Sequence, residues 1–324
     1  MEARLTRTAL LAAVLMVCMG ARHQSANFIV ETADPQMAAK ISEVAEQFRH
    51  DLAIEWLGQT MPNWAQPCMM TVQVAPHLGA GGATTFVFDH GEVFGWRMTI
   101  QGSAERVLDS VLPHEITHMV FASYFRQPLP RWADEGGATS VEHISEKQKH
   151  RQYLVQFLHT GRGIAFNQMF AMTEYPQDVM PLYAQGYSLS EFLIYHGGRR
   201  KFVDFLADGM RDNRWSEAVQ RHYNITDLSV LQNTWVAWVS QGFPAPDPAV
   251  IAASAQTPAA SQSVANPPPP AGPQPANSEQ RRARPEPNLI YRVPEKSAEA
   301  LPTQVARPQT VETSRQMILE WQQR

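Results

Sequence analysis

The residues most suited to chemistry fall in two neighbouring stretches. His114-Glu115-Ile116-Thr117-His118 sets two imidazoles four positions apart, with a carboxylate directly after the first. On an α-helix such residues share a face, so both rings can reach one ion from adjacent turns. Glu115 then lies beside that face, near enough to touch a water at the ion without holding the ion itself. The second stretch, Pro130-Arg131-Trp132-Ala133-Asp134-Glu135-Gly136-Gly137-Ala138, reads as the start of a further helix. A carboxylate in its first turn can face the two histidines. A helix-start acid is also favoured by the macrodipole alone, so Glu135 gains its meaning from the company of His114 and His118. Two neutral imidazoles and one carboxylate suit Zn2+, with a fourth position open to water. An ion there lowers the pKa of that water, and Glu115 is placed to take its proton as general base. The ligand set expected is therefore His114, His118 and Glu135, which favours zinc over other divalent ions without excluding them. Gly136 and Gly137 allow either close helix approach or an open channel beside the metal.

These residues must be positioned by the elements around them. Phe28 to Glu31 predicts a strand, and Asp34-Pro35 opens a helix through Ile41, Ala45, Phe48, Leu52 and Trp56, ended by Gly58. Met69 to Val74 reads as a strand and Gly79 to Gly82 as a flexible break. Thr84 to Phe88 and Val93 to Ile100 read as a hairpin around Asp89-His90-Gly91-Glu92. From Ser103 the periodicity turns helical. One helix covers Val107 to Tyr124, with Pro113 in its first turn or kinking it. A second runs from Pro130-Arg131 towards Phe157. Further helices fit Leu182 to Tyr195, Arg199 to Met210, Trp215 to Tyr223 and Asp227 to Val239. A mixed sheet ahead of a run of helices predicts an α+β fold.

With these motifs in place the chain resembles the gluzincin metallopeptidases, the group that contains thermolysin and the aminopeptidase N enzymes. Trp132, Glu135, Gly136 and Ala138 stand where the aminopeptidase N layout has Trp-x-x-Glu-Gly-x-Ala, the stretch that supplies the third ligand. Glu142 occupies the place of a further glutamate, and Asp134 stands where asparagine is usual. The resemblance makes Glu142, with Asp134 as the alternative, the partner of a ligand histidine. Tyr183-Ala184-Gln185-Gly186 resembles the Tyr-x-Lys-Gly stretch of the same group. It implies Tyr183 as the donor to a developing oxyanion, with Tyr187, one turn later, as the alternative. The likeness spans residues 95–242. The Gly-x-Met-x-Asn segment by which those enzymes hold a free amino end is missing. Its nearest counterpart, Gly95-Trp96-Arg97-Met98-Thr99-Ile100, is expected to be an edge strand that pairs with an extended substrate. What the resemblance implies is a peptidase MA-like fold and zinc-dependent cleavage of a peptide or protein substrate, endopeptidase more than exopeptidase. His77, His90, His143, His159, His196 and His222 lack ligand spacing and read as surface or structural residues.

Composition bounds the rest. The net charge of −4, with no block of Lys or Arg, argues against nucleic-acid binding. Arg4 and Arg7, an apolar run from Ala9 to Val17 and small residues at Cys18, Gly20 and Ala21 have the order of a cleaved signal peptide. That run is too short for a comfortable membrane anchor. Cleavage after Gly20, Ala21 or Ala26 fits equally, and the mature chain is expected to be exported with no stable membrane insertion. Of the two cysteines, Cys18 lies in this leader, which leaves Cys68 without a partner and the domain without a disulfide framework. After Phe243 the composition shifts to Pro, Ala, Gln and Ser, too poor in apolar surface to offset the entropy of ordering. The organisation expected is a leader at 1–26, a catalytic domain at 27–243 (sheet part 27–102, helical part 103–243) and a disordered tail at 244–324 that could serve a partner. Two rival readings are a zinc-stabilised binding module without catalysis and a secreted scaffold working through its Pro-rich tail. Glu115 speaks against the first, because retaining zinc does not require it.

Overall fold

The first long helix follows directly from its capping residues. In a computed structural model, which describes residues 20–244 and the backbone of a strand at 289–292, the Asp34 carboxylate accepts the Gln36 N–H at 2.9 Å. Pro35 sits in the first turn of α1 (Pro35–Leu57), and Gly58, at φ 71°, ends it in the left-handed conformation. Ile41, Ala45, Leu52 and Trp56 form its buried face.

The sheet is built from β1 (Ala21–Gln24), β2 (Phe28–Thr32), β3 (Cys68–Val74), β4 (Gly81–Asp89) and β5 (Glu92–Gly102), with β6 (Leu289–Arg292) joining from the far end of the chain. Its order is β1-β2-β3-β5-β4-β6. β2, β3 and β5 run parallel, and α1 supplies the crossover that the β2–β3 pairing needs. The remaining pairs are antiparallel. The β4–β5 hairpin turns at His90 and Gly91, both at positive φ (49° and 79°), the two-residue geometry that matches strand twist.

Four expectations are corrected here. Gly81 and Gly82 belong to β4 rather than to a flexible break. The segment Gly95–Ile100 is no edge: β5 pairs with β3 on one side and β4 on the other. Because β5 docks parallel to β3, its hairpin partner β4 is forced to the far side of β5, where β6 alone lies beyond it. Ala21–Gln24, read as part of the leader, pairs with β2 as an edge strand. Residues 289–292, within the stretch read as disordered, form β6 along β4. Residues 1–19, and the rest of the tail, lie outside the described residues.

On the helical side, a turn at Ala104–Arg106 and a π-helical turn at Val107–Val111 lead into α2 (Leu112–Phe125). The Leu112 N–H reaches the Val107 carbonyl in that wider turn. In a regular helix the Pro113 ring would meet the carbonyl four residues back, and the wider turn just before it avoids that conflict. The single helix expected from 130 to 157 is two, α3 (Arg131–Ser140) and α4 (Ile144–His159). His143 separates them, its Nδ1 accepting the Ser145 N–H as a cap for α4. After α5 (Phe166–Phe170), the two helices expected at Leu182–Tyr195 and Arg199–Met210 are both present, joined end to end as α6 (Met180–Asp212) with a non-helical break at Gly198 (φ 78°, ψ 169°). α7 (Trp215–Tyr223) and α8 (Leu228–Ser240) complete the domain.

Aromatic packing ties the site-bearing helices together. Trp56 of α1 meets Phe121 of α2 at 4.9 Å and Phe202 of α6 at 5.9 Å, and Phe202 also meets Trp132 of α3 at 6.2 Å. Trp56, Phe121, Trp132 and Phe202 are fully buried. Cys68 is buried as well, and burial pushes its thiol pKa up, which suits an inert core residue. Among the described residues no helix is long and apolar enough to cross a membrane.

Candidate metal centre

α2 carries His114 and His118 one turn apart, with every side chain from Leu112 to Ala122 buried. Their Nε2 atoms lie 3.1 Å apart. α3 brings Glu135 to the same point, its Oε2 3.6 Å from His114 Nε2 and 4.0 Å from His118 Nε2. The three side chains form a buried group that can hold a metal ion, with one ligand atom from each lying within 4.8 Å of the others.

Close helix contact puts Glu135 there. Gly136, the next residue, faces Gly186 and Ser190 of α6, and a Cβ on it would run into the Gly186 carbonyl and the Ser190 hydroxyl. Gly186 in turn lies against the Trp132 backbone, and Gly137 lies against the Phe121 ring. Of the two uses read for Gly136 and Gly137, the structure shows close approach.

The second ring nitrogens decide what the first can do. His114 Nδ1 lies 2.6 Å from Glu142 Oε1, and His118 Nδ1 lies 2.8 Å from Asp134 Oδ1. With these Nδ1–H groups donated to carboxylates, both Nε2 atoms turn lone pairs towards each other and towards Glu135 Oε2. Glu135 Oε2 is itself buried without a hydrogen-bond partner. Three buried acceptors converging on one point repel one another unless a cation or a proton lies among them. That is the donor set and the electrostatic need of a metal site, so the residues fit the ion the sequence implies. The same charges act on the bare residues. Burial opposes the charge of His118, yet Asp134, Glu135 and Glu115 outweigh it and raise its pKa to about 9. Burial likewise opposes the charge of Glu135, but the two imidazoles hold its carboxyl below the usual range.

Glu142 and Asp134 therefore both sit where one was expected, one behind each histidine. Glu142 does so from the break after α3, not from a helix face, since α3 ends at Ser140. Glu115 is buried beside the ligands and outside their set. Its Oε2 accepts the Thr84 hydroxyl at 2.7 Å, and Gly82 lies so close that a Cβ there would come within 2.7 Å of Oε1. Strand β4 thus abuts the candidate base.

Tyr183 occupies the first turn of α6, buried, with its hydroxyl lacking a hydrogen-bond partner. Burial first, then the charges of Glu135, Glu115 and Asp134, push its pKa up, so the phenol keeps its proton. Tyr187 is differently placed: its hydroxyl donates to Glu191 at 2.7 Å, and Glu191 pairs with Arg151. Gln185, which stands where lysine is usual in the resembling layout, clamps a loop by accepting the Ile164 N–H at 2.9 Å and donating to the Ile164 carbonyl. His143 is exposed, as expected.

Two contacts were not anticipated. Tyr175, in the loop before α6, donates its hydroxyl to Glu135 Oε1 at 2.7 Å and lies under the Arg131 guanidinium, 4.5 Å from the ring centre. Thr84 holds Glu115 from the sheet. Neither belongs to a motif; an alternating threonine in a predicted strand is the only signal that pointed near either. No family model matches this sequence, and no curated protein matches it.

Proposed function

We propose that the protein is an exported zinc-dependent peptidase that hydrolyses peptide bonds, with His114, His118 and Glu135 as ligands and Glu115 as general base. The observation that carries this reading is the placement of Glu115. A buried carboxylate beside a three-ligand group, held by Thr84 and contributing nothing to the ligand set, is costly for a protein that only binds metal. A zinc ion, when bound, supplies Lewis acidity towards a carbonyl oxygen and towards water.

The chain's own residues supply the remainder. Glu115 Oε1, the oxygen not engaged by Thr84, takes a proton from the attacking water and later delivers it to the departing amine nitrogen. Tyr183, protonated and without another partner, donates to the oxygen on which negative charge develops. Glu142 and Asp134 hold the two imidazoles in the tautomer whose Nε2 lone pairs would serve the ion. The stretch Gly81–Thr84 of β4, beside Glu115 and beyond the four residues that β6 covers, suits an extended peptide that pairs along a strand.

Metal analysis together with a peptide-cleavage assay on the full chain tests this reading. Stoichiometric zinc with cleavage that disappears in Glu115→Gln, zinc being retained, is the expected result. Zinc in both forms with no cleavage in either would leave a binding module and remove the peptidase.

A further inference from the structure

We propose that the tail strand Leu289–Arg292 is an internal competitor for the strand edge beside the metal centre, so that the C-terminal region restrains access to the site. The observation is the register: Leu289 pairs with Phe88, Ile290 with Val87, Tyr291 with Phe86 and Arg292 with Thr85. β4 is the strand whose Thr84 and Gly82 touch Glu115. β6 therefore takes the edge along which an extended peptide would pair, and it runs towards the metal centre, ending one position short of Thr84.

Its length makes the restraint reversible. The pairing covers four residues of β4 and stops before Gly81–Thr84, the part nearest Glu115. Pro294, two residues beyond Arg292, has no N–H with which to continue a ladder. So short a strand binds weakly as a separate molecule. Tethered through residues 245–288, it experiences an effective concentration on the order of millimolar, enough to hold a weak contact. A longer peptide that pairs with both halves of β4 gains contacts that β6 lacks and displaces it. Short peptides fit beside the docked tail, whereas long ones must compete with it.

The effect on cleavage rests on the peptidase reading; the docking does not. The test uses the full chain and its Ile290→Pro/Tyr291→Pro variant. Neighbouring N–H groups in an antiparallel strand face opposite sides, so the pair removes whichever one faces β4. Amide exchange at Thr85–Phe88 should quicken about tenfold in the variant, with zinc content and helical signal unchanged. In a Glu115→Gln background, where the probe is not cleaved, a labelled peptide spanning residues 285–296 should bind about tenfold more tightly to the variant, as expected if the edge is free in one tenth of wild-type molecules. KM for a twelve-residue peptide should fall by a similar factor. Equal exchange and equal probe affinity in the two chains would overturn the proposal. So would protection of Thr85–Phe88 that is lost on tenfold dilution, because the strand would then come from a second copy. Tighter probe binding without cleavage in either chain would uphold the docking and overturn the peptidase reading alone.

Discussion

Thr84 Oγ1 donates a 2.7 Å hydrogen bond to Glu115 Oε2 across 31 positions of sequence, joining strand β4 to the helix that carries the candidate base. The bond engages one carboxylate oxygen and leaves the other for a proton. Thr84→Val keeps the shape and removes the donor, leaving a buried carboxylate less well held. Peptide cleavage should fall about 10–100-fold with zinc content unchanged, the usual cost of losing a partner that orients a site residue. Thr84→Ser should restore most of it. A Thr84→Val protein with wild-type kcat would show that Glu115 is oriented by its helix alone.

The ligand triad makes a prediction about composition as well as rate. His114→Ala, His118→Ala and Glu135→Ala should each lose most bound zinc, whereas Glu115→Gln should keep it and lose about 100–10,000-fold in cleavage. Stoichiometric zinc in the His114→Ala/His118→Ala double variant, measured by elemental analysis, would sink the assignment. Zinc should also raise the unfolding temperature of the metal-free chain, since it relieves the crowding of three buried acceptors.

Glu142 and Asp134 each hold one imidazole, so their effects should be separable. Glu142→Ala and Asp134→Ala should each weaken zinc binding about 10–100-fold, and the two losses should compound when combined. Competition with a chelator of known affinity measures this. Equal affinity in all three variants and wild type would leave both carboxylates as spectators.

Three tyrosines near the site should behave in three ways. Tyr183→Phe should reduce kcat about 100–1,000-fold with zinc intact, because it removes a donor to developing charge. Tyr175→Phe, which breaks the bond to Glu135, should instead weaken zinc binding. Tyr187→Phe should leave both alone and cost a little stability, since its hydroxyl serves Glu191. A crippled Tyr187→Phe enzyme beside a normal Tyr183→Phe enzyme would reverse the roles.

Gly136→Ala tests whether helix contact sets the ligand geometry. Alanine favours helix by about 1 kcal/mol over glycine, yet here its methyl meets a backbone carbonyl that cannot rotate away. Overpacking of this kind costs about 1–3 kcal/mol. Denaturant unfolding should show net destabilisation, and zinc affinity should fall with it as Glu135 shifts.

If the proposed N-terminal leader is removed, β1 bears on where the cut falls. Cleavage after Gly20 preserves the strand Ala21–Gln24, whereas cleavage after Ala26 removes it from the edge of β2. N-terminal sequencing of exported protein should begin at Ala21; a start at Asn27 would mean that the mature sheet lacks β1.

Much of the site is legible in the amino-acid sequence because its spacing is local. Helical periodicity alone puts His114 and His118 on one face with Glu115 beside it, and Glu135 follows from its place near the start of the next helix, one residue past the first turn that Asp134 closes. The ends of α1 are equally legible, because Asp34, Pro35 and Gly58 act within a turn of where they stand. The same holds for the turn at His90-Gly91. What required the tertiary structure is contact between parts of the chain with no shared period. Thr84 reaches Glu115 only because the parallel pairing of β3 and β5 puts β4 on the far side of β5. Tyr175 reaches Glu135 from an irregular loop. Glu142 and Asp134 divide the two imidazoles between them because α3 stops at Ser140, and β6 finds β4 from a stretch whose composition argued against any order. Local sequence determined the chemistry on offer; long-range packing, set by the order of the strands and by which helices touch through glycine, decided how those groups are held and what can approach them.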